Sequence, residues 1–322
     1  MDQPALPDLY CPFPASVNRH VEFVERDTVL WARRFNLLPN EVAYRRVEAT
    51  QLGWLAARTH PRAPLEELQL VADWCVWLFV RDDFCDESGL GRKPERFRAL
   101  HSDLLHLLQG APLPRHATPL ARSLCDLRDR TLAKTSPVWM RHFTDHVATF
   151  FDAGAWEATN RAQSITPDVA TYINRRPHTS GMHAFIELSA IAEGIDLPHA
   201  VRTHPTVQGL ASLATIVACW MNDLVSYRKE IQQGDVHNLI LTLRHKYKLT
   251  LREAVERAAA LHDAQVRAFI DLEQRLPVFG PTVDADLQQY VAMLRAIMRG
   301  NLDWSIATAR YSLLREVRAC AA

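Results

Sequence analysis

Two runs of oxygen-bearing side chains in the sequence have the types and spacing to hold hard cations. The first is Asp82-Asp83-Phe84-Cys85-Asp86-Glu87. On a helix, Asp82 and Asp86 share a face at i,i+4, as do Asp83 and Glu87, and like charges at that spacing repel. A helix C-terminus adds negative potential of its own. Divalent cations with oxygen ligands relieve such repulsion; without them the run reads as a solvated acidic helix end. The second run is Asn222-Asp223-Leu224-Val225-Ser226-Tyr227-Arg228-Lys229-Glu230. Asn222, Ser226 and Glu230 stand at i, i+4 and i+8, on one helix face over about 12 Å of rise. An amide oxygen, a hydroxyl and a carboxylate form a set suited to one Mg2+, with waters or phosphate oxygens completing an octahedron. Lys229 beside them is placed to meet an anion. Taken alone, this run reads equally as a capped helix end.

Together the two runs resemble the paired metal motifs of the class I terpene synthases of bacterial type. That family carries D-D-x-x-D or D-D-x-x-x-E. Asp82 to Glu87 fits both spellings, so Asp86 and Glu87 remain alternatives. The family also carries N-D-x-x-S-x-x-K-E, and Asn222 to Glu230 matches every specified position, 140 residues after Asp82. A diphosphate-sensing Arg is expected upstream of the Asn, and Arg176 lies 46 residues before Asn222. The family's helix break soon after this Arg corresponds to Ser180-Gly181. Pro177-His178 lengthens the stretch from Arg to Gly. Arg175 therefore stays an alternative sensor, and Ser180 and Gly181 are alternatives for the residue facing a nascent cation. A C-terminal Arg-Tyr pair is matched by Arg310-Tyr311, so the resemblance spans roughly residues 70–312.

The resemblance implies an all-α, single-domain class I terpenoid synthase-like helical bundle with a deep apolar central cavity. It implies three Mg2+ ions bound with an isoprenyl diphosphate between the two motifs. Asp82 with Asp86 or Glu87 would hold two ions, and Asn222, Ser226 and Glu230 the third. Arg176, Lys229, Arg310 and Tyr311 would donate to the diphosphate, and Asp83 would pair with the sensor Arg. Phe79 and Trp304 are the first candidates for aromatic faces that stabilise a carbocation, with Phe150, Phe151, Phe185 and Trp220 behind them. No dedicated general base stands out, which leaves the departing diphosphate to take the final proton. Farnesyl diphosphate is the default substrate and a sesquiterpene hydrocarbon or alcohol the product, with geranyl and geranylgeranyl diphosphate open. The alternatives are an isoprenyl diphosphate synthase and a non-catalytic isoprenoid-binding protein of the same fold. The first would carry a second D-D-x-x-D where Asn222-Asp223 stands; the second would have lost a metal ligand, and none is lost.

The elements that must position these groups read as helices. Helical periodicity is predicted over 16–37, 41–58, 65–87, 94–109, 117–135, 137–160, 167–176, 180–193, 203–230, 236–246, 250–275, 284–299 and 301–318, with Pro or Gly at most joins. No strand-type alternation persists. Two helices are apolar around their circumference: Trp74 to Val80, leading into Asp82, and Leu210 to Met221, leading into Asn222. Such helices belong at the centre of a fold. Each then delivers a polar cluster at its C-terminal end, at the mouth of an apolar pocket.

Composition agrees with this reading. The 322 residues are 48% apolar and 23% charged, and only 11 are Gly, which suits a mostly helical chain. Zero formal net charge gives no footprint for nucleic acid. Six cysteines without C-x-x-C spacing read as reduced, mostly buried thiols. Residues 1–15, with Pro4, Pro7, Pro12 and Pro14, read as an extended arm preceding one domain over 16–322, and they lack the apolar core of a signal peptide. Leu210 to Met221 is shorter than the ~20 residues a bilayer demands. A cytoplasmic protein, monomer or homodimer, without membrane or nucleic-acid partners, is the expectation.

Overall fold

The computed structural model describes residues 4–314. Among them there is no strand. The helices are α1 (Val21–Arg34), α2 (Glu41–Thr50), α3 (Leu52–Thr59), α4 (Leu65–Glu87), α5 (Pro94–Leu108), α6 (Pro119–Leu132) and α7 (Pro137–Gln163). They continue as α8 (Val169–Thr179), α9 (Met182–Ala192), α10 (His199–Arg202), α11 (Pro205–Gln233), α12 (Leu239–Tyr247), α13 (Leu251–Glu273) and α14 (Pro281–Ala307). The chain forms two compact units. One comprises Val17–Ile165 with Ala184–Gly194; the other comprises the described parts of Met1–Ser16, Thr166–His183 and Ile195–Ala322.

In the first unit α4 is the central helix and packs against α1, α3 and α6. Burial runs round it from Leu68 to Val80, as an all-round apolar helix requires. Its one buried carboxylate before the acidic run, Asp73, accepts from Thr28 Oγ1 at 2.7 Å, Gln69 Nε2 at 2.8 Å and Arg130 Nη1 at 2.7 Å. The helix ends at Ser88, followed by Gly89 at φ 68°, a conformation that suits glycine.

In the second unit α11 has the corresponding place, packed against α13, α14, α12 and α8. By length and composition it is apolar enough to cross a membrane, yet 67% of its apolar window is buried inside the protein, as in a core helix. Gly234 closes it in the left-handed conformation, its N–H donating to carbonyls of the last turn. Residues 4–16 are not helical. Leu6 and Leu9 pack on the core formed by Tyr172, Trp220, Leu224, Tyr227 and Val255, so the arm belongs to this unit.

Most predicted helices are present with ends shifted by a few residues, and four joins differ. One lies inside the helix expected over 301–318, which stops at Ala307 because Thr308 is extended. The single helix expected over 41–58 is two, because Gln51 takes φ 57° and ends α2 while starting α3. The break expected at Gly300 does not occur. Gly300 is buried inside α14, where its intrinsic cost of about 1 kcal/mol is outweighed by packing against α11. The expected end at Arg176 gives way to a helix that runs through Pro177 to Thr179, so the proline sits in the last turn. Cys11, Cys75, Cys85, Cys125 and Cys219 are buried free thiols, while Cys320 and residues 315–318 lie outside the described residues.

Candidate active site

The second unit assembles one polar centre on the last three turns of α11. Asn222, Ser226 and Glu230 share a face as the spacing predicts. Ser226 Oγ donates to Glu230 Oε1 at 2.7 Å, and Asn238 Nδ2 donates to Glu230 Oε2 at 2.7 Å, so each carboxylate oxygen is fixed by one neutral donor. By surface area Glu230 is only part-buried. Protein packed round the carboxylate, with Asp223 and Asp235 nearby, nevertheless pushes its pKa up to about 8. A carboxylate raised in this way gains from a cation. An amide, a hydroxyl and such a carboxylate on one face fit a hard divalent ion.

Arg176 is turned onto this face. Its Nη2 donates to Asn222 Oδ1 at 2.8 Å and its Nε to Asp223 Oδ1 at 2.8 Å, while Nη1 reaches Thr179 Oγ1 at 3.2 Å. Its neighbour Arg175 is exposed. The helix break lies where the sequence puts it: Ser180 caps α8, and Gly181 takes φ 70°. Ser180 Oγ donates to the Pro177 carbonyl at 2.9 Å and accepts from Met182 N at 3.2 Å, which starts α9. Tyr311, in the short 3-10 turn Ala309–Leu314, accepts from Asn222 Nδ2 at 2.9 Å. Its ring meets buried Trp304 edge-on at 6.0 Å. Lys229 and Arg310 are part-buried.

Asp223 is the member of this centre that sequence reasoning left without a role. Its side chain is fully buried. Besides Arg176 it accepts from Tyr172 OH at 2.6 Å and from the Leu239 N–H at 3.0 Å, and its carbonyl accepts from Asn238 Nδ2 at 2.8 Å. It thus joins α8, α11 and the start of α12, and sets Arg176 and Asn238. The only available signal was its place beside Asn222.

In the first unit, Asp82, Asp86 and Glu87 are exposed at the end of α4, Asp83 is part-buried, and Phe79 is part-buried one turn earlier. Glu87 pairs with Arg46 at 2.6 Å, and Asp82 lies 3.8 Å from Arg81. Among the described residues no group of three His, Cys, Asp or Glu converges as a metal site. The carboxylates at the end of α4 are spread, and the α11 set includes only one.

Arg81 was also missed; its only trace in the sequence is a charge interrupting an apolar run. It is buried, and its guanidinium lies 4.8 to 5.5 Å from the ring centroids of Phe97, Phe150 and Phe151. Two of the secondary aromatic candidates are therefore occupied by an arginine. Of the other two, Phe185 is part-buried and meets His60 edge-on at 5.4 Å, and Trp220 is buried in the cluster that includes Tyr227. Arg81 Nε and Nη2 both donate to His101 Nε2, at 2.8 and 2.7 Å. Since arginine has no acceptor, His101 Nε2 must accept, which leaves the proton on Nδ1, 2.7 Å from the Phe97 carbonyl. Burial and the Arg81 charge push the His101 pKa down to about 3.

The family model for terpene synthase family 2, C-terminal metal binding, matches residues 73–268. The chain is 39% identical to a (+)-T-muurolol synthase that cyclises (2E,6E)-farnesyl diphosphate, from Roseiflexus castenholzii, over 97% of this chain and 95% of that one. It is 37% identical to the germacrene A synthase of Nostoc punctiforme over 98% of each. Among solved structures, wild-type cucumene synthase is similar at a TM-score of 0.82 and 27% identity, covering 94% of this chain and all of that one. A match to the family model over more than half the length, with relatives alike over nearly all of it, means that the chain belongs to the bacterial-type class I terpene synthases.

Proposed function

We propose that the protein ionises farnesyl diphosphate with Mg2+ and cyclises the cation to a sesquiterpene hydrocarbon or alcohol, releasing diphosphate in the cytoplasm. The observation that carries this reading is the α11 face, where Asn222, Ser226 and Glu230 stand together with Arg176 and Tyr311 in direct hydrogen bonds to Asn222. Relatives named as farnesyl diphosphate cyclases support the substrate.

The residues that would hold Mg2+, three ions in all, are Asn222, Ser226 and Glu230, and Asp82 with Asp86 or Glu87. When bound, such ions supply positive charge to a departing diphosphate. The chain's own part is to orient that group and share its charge. Arg176, Lys229, Arg310 and Tyr311 donate to it as the carbon–oxygen bond breaks and both electrons leave with oxygen. A donor acting where charge develops is worth roughly 3–4 kcal/mol. Asp223 holds the sensor arginine. Phe79 and Trp304 would offer aromatic faces to the allylic cation, and Ser180 or Gly181 would act on it from the helix break. The final proton passes to diphosphate, or water adds to give an alcohol.

The test is incubation with the C10, C15 and C20 diphosphates and Mg2+, followed by gas chromatography–mass spectrometry. A cyclic C15 product is expected, with no longer diphosphate when isopentenyl diphosphate is added. Asp82→Ala and Asn222→Ala should stay folded and lose nearly all turnover. Wild-type-like activity in either would sink the ligand assignment.

A further inference from the structure

The back of the same helix carries a second set of contacts. Arg228 lies within the metal motif yet is buried, and it points away from the ligand face. At about 100° per residue, Arg228 stands about 200° round the helix from the middle of the face formed by Asn222, Ser226 and Glu230. Its Nη2 donates to the Pro4 carbonyl at 2.8 Å, and its Nε donates to Tyr227 OH at 3.0 Å. Tyr227, also buried, donates its hydroxyl to the same Pro4 carbonyl at 3.2 Å. Two consecutive motif residues thus grip one carbonyl of the N-terminal arm.

The arm is anchored along its length within the same unit. Tyr10 N donates to Asp263 Oδ1 at 2.9 Å, and the Arg267 guanidinium covers the Tyr10 ring at 4.7 Å. Arg299 Nη1 donates to the Cys11 and Phe13 carbonyls at 3.3 and 3.4 Å, and Phe13 meets Phe269 edge-on at 5.8 Å. Residues 4–13 therefore tie α13 and α14 to the C-terminal turns of α11.

We infer that Arg228, with Tyr227 and the arm, is a positioning residue for the metal-binding face of α11. It sets the rotation of the last three turns and so aims Asn222, Ser226 and Glu230. The physical reason is that a buried guanidinium needs its acceptors. Rolling the helix would pull Arg228 off the Pro4 carbonyl, so the arm resists that motion. Partners behind a ligand typically change metal affinity about 10–100-fold when removed. This inference rests on the proposed function.

The experiment compares wild type, Arg228→Met, Arg228→Lys and a chain lacking residues 2–6. Two readouts are taken: the Mg2+ concentration for half-maximal turnover of farnesyl diphosphate, and the rise in melting temperature with Mg2+ plus inorganic diphosphate. Arg228→Met and the shortened chain should need about tenfold more Mg2+ and show a smaller rise. Arg228→Lys, which keeps a donor but not the planar fork, should fall between. A purely structural role would lower the melting temperature and leave both readouts as in wild type; that result overturns the inference. Should Arg228→Met not fold, the shortened chain decides, and Tyr227→Phe after it, by the same two readouts. Absence of turnover in wild type would fail the proposed function alone, since the diphosphate-induced rise still reports on the arm.

Discussion

Asp223 shows how a residue inside a catalytic motif can be needed for the fold beneath it. Its carboxylate is fully buried and accepts from Arg176, Tyr172 and the first turn of α12. In Asp223→Asn, one acceptor oxygen becomes an amide donor and the charge that pairs with Arg176 Nε is lost. Breaking a buried pair from one side costs about 3–5 kcal/mol. Urea denaturation of this variant should show a loss of that order, and a loss below about 1 kcal/mol would contradict the role. That Asn222, Ser226 and Glu230 share one helix face was legible in the sequence, because their i, i+4, i+8 spacing dictates it. Asp223 was not, because its partners come from α8 and α12, and nothing local marks them.

At the scale of elements, the crossing of α1 and α3 shows a constraint that the helical pattern hides. Gly53 lies in the first turn of α3 against α1. A Cβ there would stand 2.5 Å from Glu25 Cα and 2.7 Å from Glu25 N, both backbone atoms that cannot rotate away. The close approach lets Glu25 Oε2 accept the Trp54 N–H at 3.1 Å, so a carboxylate from α1 caps the N-terminus of α3. Gly53→Ala must push the two helices apart and should cost about 1–3 kcal/mol, read as a lower denaturation midpoint. Helix existence was readable here from periodicity and Pro or Gly punctuation. The split at Gln51 was not, because a left-handed glutamine carries no compositional mark. Gly300, which carries the mark, is held helical by packing. The arm was readable as extended from its prolines, but its docking depends on residues more than 220 positions away.

At the scale of the whole molecule, buried titratable groups of opposite tendency govern stability against pH. His60 is fully buried, with Nε2 2.8 Å from Ser189 Oγ and Nδ1 3.1 Å from the Ala56 carbonyl, and burial lowers its pKa to about 4. His101 is lowered to about 3. For both, the unfolded chain takes up a proton near pH 6.5 while the folded chain does not. Their contribution is therefore present above that pH and is lost as pH falls towards the folded values. Glu25 and Asp73 act in the other direction. Burial raises them to about 7 and about 6, so the folded state holds protons that the unfolded state has released. Their effect is to make stability rise as pH falls from those values towards the ordinary carboxylate range. Between about pH 4.5 and 6 the two sets oppose one another, and the wild-type curve should be shallow there. Removing one histidine should expose the balance. In His60→Gln the folded state loses its Ser189 partnership at every pH, but the proton-uptake difference disappears as well. Wild type should therefore lose stability relative to this variant by about 1.4 kcal/mol per pH unit as pH falls from 6.5 towards 4. Denaturant midpoints of the two proteins, measured at half-unit steps across that window, test this directly. A difference between them that stays constant with pH would mean that His60 is already charged in the folded protein.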